Sequence, residues 1–395
     1  MLINRDRAKD IMEKHGLDAL VATTPENVTY LTGLWVLSYL RHRPRQVYAV
    51  ISKDEMEPDM IVPKGLIDHP LQGGTWVRQY HFFGQFYYSS EGSGKLDDES
   101  KRLLDTVTSL PCHDSAVSAL VHCLKVRGLS SANIGVDQGS DVIFLADLLK
   151  SYLPDLETKP AYEIFREIRL IKTVEEIARI RRAVGVNETA LGEAIQSIGR
   201  GVSEKQVSQT FMEAIVRQGG LPTLGFIGSG PRSAFSNVEP SDRRIEPGDV
   251  IRFDVGCMVN AYHSDLARTA VLGKPNKKVK KYHDALMAGQ GKILETLKPG
   301  VTLGRLFDIG MEEVRKKGIP HYQRHHCGHG NGIEGYDPPL ISANNPIQME
   351  PGMVLCVETP YYEIGFAGLQ IEDVVVITDY GYEQISQIER KLFVI

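Results

Sequence analysis

Residues 324–339 read RHHCGHGNGIEGYDPP, placing His325, His326, Cys327 and His329 within one short run, followed by glycines, Tyr336, Asp337 and two prolines. Such a run admits three chemistries: a metal site, a cysteine nucleophile, or a glycine loop around a phosphate. Cys327 beside His326 lacks a third residue at recognisable spacing to orient the pair, so a nucleophile is disfavoured. The glycines at 328, 330 and 332 are not followed by Lys-Ser/Thr, and no strand–GxGxxG–helix context surrounds them, so a phosphate loop is disfavoured as well. Metal ligation remains, with His326 as a supporting residue. Arg324 reads equally well as an anchor for a substrate carboxylate or as a solvated arginine.

Carboxylates supply what a hard cation needs. The segment 248–273, GDVIRFDVGCMVNAYHSDLARTAVLG, reads as strand, turn and strand and embeds Asp254 and Asp265 in apolar surroundings. The segment 352–378, GMVLCVETPYYEIGFAGLQIEDVVVIT, embeds Glu358 and Glu372 in the same way. Buried acids are costly unless paired or metal-bound. Any one of them reads most simply as half of a salt bridge. Four together with one imidazole suit one or two divalent ions, Mn²⁺, Co²⁺, Fe²⁺ or Zn²⁺ rather than a thiolate-selected metal. Two ions roughly 3.5–4 Å apart hold a water, lower its pKa and polarise an amide carbonyl.

The elements that must position these groups repeat. Residues 201–220 (GVSEKQVSQTFMEAIVRQGG) and 300–319 (GVTLGRLFDIGMEEVRKKGI) align at an offset of 99, with Gly201/Gly300, Val202/Val301, Met212/Met311, Glu213/Glu312 and Gly219/Gly318 identical. Each copy predicts a capped amphipathic helix stopped by glycine, preceded by another helix and followed by strands. Agreement of cap, period and stop favours duplication over chance, and two copies predict a pseudo-two-fold α+β domain rather than a solenoid. Thr173 and Glu176 form a capping box that opens a long helix with apolar positions at Val174, Ile177, Ile180 and Val184.

Upstream the pattern differs. A short helix ending at Gly16, strands at 18–23 and 46–52, a helix over 115–128 and a strand at 131–137 predict an α/β domain. The aromatic segment 75–92, with eight Trp, Tyr, Phe or His in 18 residues, reads as a core or interface strand, with an aromatic pocket or subunit contact as the alternative. The proline-bearing stretch 151–161 reads as the linker. The expected organisation is therefore an α/β domain over 1–155 and the repeat-built α+β domain over 160–395.

Bulk properties narrow the function classes. The 395-residue chain is 42% hydrophobic and 24% charged with a net charge of −5, so it reads as globular and not as a nucleic-acid binder. The amphipathic N-terminus lacks an apolar h-region and no run of 18 apolar residues occurs, so neither a signal peptide nor a membrane span is expected. Five cysteines without framework spacing suggest reduced thiols and a cytoplasmic setting.

Residues 160–395 closely resemble the pita-bread metallopeptidases, the group of methionine aminopeptidase, aminopeptidase P, prolidase and creatinase; the N-terminal part is similar, more weakly, to the creatinase/prolidase N-domain. The motifs carrying the resemblance are Asp254-x-Gly256 with Ser264-Asp265-x-x-Arg268-Thr269, the turn Gly328-His329-Gly330, Glu358 followed by Pro360, and Ile371-Glu372-Asp373. The resemblance implies a pita-bread catalytic domain, two divalent ions, a homodimer, and Asp254, Asp265, His329, Glu358 and Glu372 as ligands. It also makes Glu358 the general base that shares a proton with the bridging water.

Three positions depart from the group. Asn237 stands where prolidase-like members carry a histidine after a Ser-Ala-x-x segment, Tyr336 where they carry a second histidine, and Gln370 where an arginine precedes the Ile-Glu-Asp strand. His325 keeps its place. Losing one oxyanion donor without replacement costs ~10²–10³ in rate, so His325 and Tyr336 are expected to stabilise the oxyanion. Asn237, Asp337 and Gln370 are expected to contact substrate. Trp35 and Arg41, in the N-domain stretch that reaches a partner's site in such dimers, are candidate pocket residues. The expected activity is amide C–N hydrolysis of an Xaa-Pro dipeptidase or aminopeptidase P kind. The alternative is a small non-peptide substrate, as in ectoine hydrolase or metal-dependent lyases of this fold. Creatinase works without metal, so the intact ligand set disfavours creatine; it equally disfavours a pure binding module.

Overall fold

A computed structural model describes residues 1–35, 46–91, 94–137 and 145–395. The chain divides into two compact units, Met1–Arg169 and Leu170–Ile395.

In the first unit, helix α1 (Arg5–Lys14) starts where the Asn4 side chain accepts the Arg7 N–H, and the chain leaves it through Gly16 at φ 63°. Strands β1 (Ala19–Ala22), β2 (Tyr48–Ser52), β3 (Asp59–Pro63), β4 (Gln79–Phe83), β5 (Cys112–His113), β6 (Asn133–Val136) and β7 (Glu157–Pro160) form one sheet in the order β5-β4-β3-β2-β1-β6-β7. Between them lie α2 (Pro25–Thr32), α3 (Asp68–Leu71), α4 (Asp98–Ser109), α5 (Ala116–Val126) and α6 (Leu145–Tyr152), and α7 (Tyr162–Arg169) closes the unit. Ala119, Leu120, Cys123 and Leu124 of α5 pack into the core against β1, β2 and β6. The aromatic segment supplies β4, which buries His81 and Phe82 while Phe86 and Tyr87 beyond it are exposed.

The expected linker is corrected here. Residues 157–160 are a strand pairing parallel with β6, and the first unit runs to Arg169 rather than ending at 155. β7 is the edge of the sheet, where a proline costs no ladder hydrogen bond, so its polar, proline-bearing sequence resembles a linker.

The second unit carries the duplication. Its first half is α8 (Val174–Gln196), opened by the Thr173–Glu176 capping box, then α9 (Glu204–Arg217), β8 (Leu221–Ser229), β9 (Val250–Val259) and β10 (Tyr262–Val271). Its second half is α10 (Lys277–Thr296), α11 (Leu303–Lys317), β11 (His326–Gly330), β12 (Asp337–Ser342), β13 (Val354–Glu358), the small hairpin β14 (Tyr361–Glu363) and β15 (Ala367–Leu369), and β16 (Glu372–Ile377). The main sheet runs β12-β11-β13-β16-β10-β9-β8; β17 (Tyr382–Gln384) pairs with β16 and β18 (Phe393–Val394) with β10. The halves meet at the β16–β10 pair. Ser203 and Thr302, repeat-related residues, cap α9 and α11 and each makes an isolated bridge, to Arg244 and Gln348 respectively. Leu303, Leu306, Met311 and Val314 bury the apolar face of α11, each stabilising by ~1.5–3 kcal/mol. Asn187 of α8 is buried because its amide donates to the Val255 carbonyl at 2.9 Å, fixing the helix against β9.

Candidate metal centre

Strand alternation gathers the acids. Ala267 of β10 pairs with Asp254 on one side and Glu372 on the other, and Glu372 pairs with Glu358. Directly paired residues share a face, and so do residues two apart along a strand. Asp254, Asp265, Glu372 and Glu358 therefore project from one face of the sheet. His329 pairs with Cys356, two residues before Glu358, and joins them. The flanking glycines are steric: a Cβ on Gly328 would lie 2.2 Å from the Cys356 carbonyl oxygen, and one on Gly330 2.1 Å from that of Pro338. They allow the strands on either side to close on the histidine.

The donor atoms of Asp254, Asp265 and Glu372 lie within 4.8 Å of one another, as do those of His329, Cys356 and Glu372. His329 Nδ1 lies 2.9 Å from the Gly330 carbonyl, to which it donates. That fixes the tautomer and leaves the Nε2 lone pair 3.7 Å from Glu372 Oε1 and 3.8 Å from Asp265 Oδ2. Asp265 Oδ1 and Glu372 Oε1 are buried with no hydrogen-bond donor. Orphaned carboxylate oxygens clustered with a bare imidazole nitrogen fit a divalent cation.

Electrostatics tell the same story. Burial and then the neighbouring carboxylates push Asp265 and Glu372 well above the usual carboxylate range. Burial raises Asp254 against the opposing charge of Arg252. Glu358 is pushed up to about 7, first by burial, with Arg324 opposing and Asp254 adding to the rise. Burial pulls His329 down to about 4, which keeps it neutral and able to ligate.

The face opens into a cavity of about 580 Å³. His325, Tyr336, Asn237 and Gln370 line it. Tyr336 stacks on His329 with ring centroids 3.9 Å apart, and its hydroxyl is 2.6 Å from His326 Nε2. His326 Nδ1 is in turn 3.2 Å from Glu358 Oε1, so this histidine links the tyrosine to the expected base. Asp337 is a correction: it is buried beside Lys172 (3.6 Å) and does not line the cavity. Its neighbour in sequence faces the site, and strand alternation turns Asp337 away. Trp35 is a half-buried residue of the first unit, and the cavity lining belongs to the second; Arg41 lies outside the described residues.

Two groups beside the acids escape a motif reading. His263 lines the cavity and burial lowers it to about 4. Arg252, fully buried, donates to Asp254 Oδ2 at 3.0 Å and supplies a guanidinium although position 370 is a glutamine. Each stands two residues before one of the clustered aspartates, so the period-two rule that groups the acids also finds them.

The sequence matches the profile of metallopeptidase family M24 over residues 178–379, just over half of the chain, and that of the creatinase/prolidase N-terminal domain over residues 5–64. It is 32% identical over 386 residues to an Xaa-Pro dipeptidase of Pyrococcus horikoshii, covering 97% of this chain and 96% of the relative. It is 35% identical over 239 residues to an Xaa-Pro dipeptidase of Pyrococcus furiosus, covering 60% of this chain and 68% of that one. Among solved structures, the prolidase from Pyrococcus horikoshii superposes with a TM-score of 0.78 at 25% identity, covering 98% of this chain and 99% of that one. The X-Pro aminopeptidase from Thermotoga maritima shares the fold at a TM-score of 0.78 and 22% identity, covering 99% of both chains.

Proposed function

The chain belongs to metallopeptidase family M24, and from that premise we propose that it is an Xaa-Pro dipeptidase-like hydrolase using two divalent metal ions. Asp254, Asp265, His329, Glu358 and Glu372 hold the ions. The observation that carries this reading is the pair of donorless buried oxygens, Asp265 Oδ1 and Glu372 Oε1, on two carboxylates that approach His329 Nε2 through Asp265 Oδ2 at 3.8 Å and Glu372 Oε1 at 3.7 Å. The ions, when bound, polarise the scissile carbonyl and acidify the attacking water.

The remaining chemistry falls to side chains. Glu358 takes the proton of the water and passes it to the leaving nitrogen, the role of a carboxylate held beside the attacking water. His326 Nδ1 accepts the Gly328 N–H at 3.3 Å, which favours the proton on Nε2. Nε2 then donates to the Tyr336 oxygen, and in this reading that hydroxyl is the donor toward the developing oxyanion. His325 and Asn237 add donors on the cavity wall. A homodimer and a cytoplasmic setting belong to the proposal; light scattering on the purified chain tests the first.

Offering Ala-Pro, Gly-Pro-x and a panel of small cyclic and N-acyl amides to the Mn²⁺-loaded protein tests the substrate. Turnover concentrated on Xaa-Pro peptides is expected. Turnover confined to the non-peptide amides would transfer the activity to a small-molecule hydrolase of the same fold, a reading that Asn237 and Tyr336 keep open in place of two imidazoles.

A further inference from the structure

Arg252 is fully buried and every N–H of its guanidinium is placed. Nε donates to the Ser233 carbonyl at 2.9 Å, and Nη2 to the carbonyls of Phe235 and Ser236, both at 2.8 Å. Nη1 donates to Asp254 Oδ2 at 3.0 Å and to Gln370 Oε1 at 2.9 Å. The Gln370 amide is thereby oriented. Its oxygen accepts from Arg252 and also from the Tyr362 hydroxyl at 3.3 Å, so its NH₂ must face the other way. There Nε2 donates to Glu358 Oε2 at 3.1 Å. The backbone of Gln370 is clamped to the Thr269 hydroxyl, which donates to its carbonyl and accepts its N–H, both at 2.9 Å.

We infer that Arg252 and Gln370 act as one positioning unit that fixes an acid of each repeat half, Asp254 directly and Glu358 through the glutamine, in the geometry that receives the metal ions. The inference rests on the metal-centre reading above. Asp254 comes from the first half of the duplication and Glu358 from the second. A cation that holds one of them rigidly and the other through an oriented amide registers the two halves at the site itself. The same guanidinium pins residues 233–236, the chain leading to Asn237 on the cavity wall. Such partners of ligating carboxylates set metal affinity by restricting the ligands to the bound geometry. Lysine cannot substitute, because one ammonium cannot reach the three carbonyls, the carboxylate and the amide that a planar fork reaches.

The test is the apparent Mn²⁺ dissociation constant of the full chain, measured by competition with a fluorescent chelator, alongside circular dichroism. Gln370→Met leaves Arg252 on Asp254 and cuts only the arm to Glu358; Mn²⁺ affinity is expected to fall about 10–100-fold with an unchanged spectrum. Arg252→Lys is expected to weaken binding at least as much. The double variant should bind no more weakly than Arg252→Lys alone, because both changes interrupt one path. Gln370→Met binding Mn²⁺ within twofold of the parent would overturn the inference, as would a double variant whose loss is the product of the single losses. If Arg252→Lys does not fold, Gln370→Met decides alone. A parent protein that binds no Mn²⁺ would overturn the metal reading together with this inference; a parent that binds while Gln370→Met is unaffected overturns the inference only.

Discussion

Each unit buries a cluster of potential metal ligands, and the two differ in charge. In the first, Asp59, His81 and Cys123 lie close enough to ligate one ion. But Asp59 already accepts from Arg78 Nε and Nη2, both at 2.7 Å, and pairs with Arg127 at 3.1 Å and His81 at 3.2 Å. Burial alone would raise its pKa; the His81 and Arg78 hydrogen bonds and the charge of Arg127 win, and it falls to about 2. In the second unit Asp254 accepts from Arg252 and Glu358 from the neutral Gln370 amide, one oxygen each of Asp265 and Glu372 has no donor, and the pKa values of all four carboxylates rise. Ligand types and proximity are common to both clusters. Missing positive charge distinguishes the one that asks for a metal.

The largest expected effect removes the proposed base on the charge-deficient side. Glu358→Gln at saturating Mn²⁺ should keep the fold and lose about 10²–10⁴ in turnover, the range for a positioned general base. Near-normal steady-state rates would take Glu358 out of that role.

Crossed substitutions sharpen the contrast next. Asp59→Asn leaves Arg78 and buried Arg127 facing a neutral amide, so urea unfolding should show a loss of about 3–5 kcal/mol. Asp265→Asn removes a repelling charge, so the metal-free protein should be at least as stable as the parent while losing affinity for Mn²⁺. Equal destabilisation by the two changes would break the comparison.

The pH dependence should have opposite signs. Asp59 titrates near 2 folded against 3.8 as a free side chain, so its stabilisation is complete above 3.8 and is lost as pH falls toward 2. Glu358 titrates near 7 folded against 4.5 free, so in metal-free protein its contribution is complete below 4.5 and is lost as pH rises through 7. The urea midpoint of chelator-treated protein should therefore fall between pH 4.5 and 7, and Mn²⁺ should remove that fall. A midpoint rising with pH over that window in the absence of metal would contradict the electrostatic account.

The smallest effect tests Tyr336. Its phenylalanine variant should lower kcat several-fold with little change in KM, about 1 kcal/mol for one hydrogen bond. An unchanged kcat would make the ring, stacked on His329, a packing residue.

Much of this was readable from residue order, because local rules govern it. The caps at Thr173, Ser203 and Thr302, the glycine stops and the repeat place the helices, and the four acids stand out in apolar, strand-like runs, while the ligand set itself came from the family resemblance. What escaped depends on pairing across the sheet. Asp337 reads as a pocket residue until Lys172, far away in sequence, is seen to take its charge. The gap that Gln370 leaves in the charge pattern is met by Arg252 from another strand. Residues 157–160 look like a linker because an edge strand needs few apolar residues.

Metal content tests the central claim most directly. The parent, Asp59→Asn and Asp265→Asn proteins are dialysed against Mn²⁺, freed of excess and analysed by mass spectrometry of the bound metal. The account predicts at least one ion per chain in the parent, the same content in Asp59→Asn and a marked loss in Asp265→Asn. Metal lost from Asp59→Asn but kept by Asp265→Asn would place the centre in the wrong unit and contradict it.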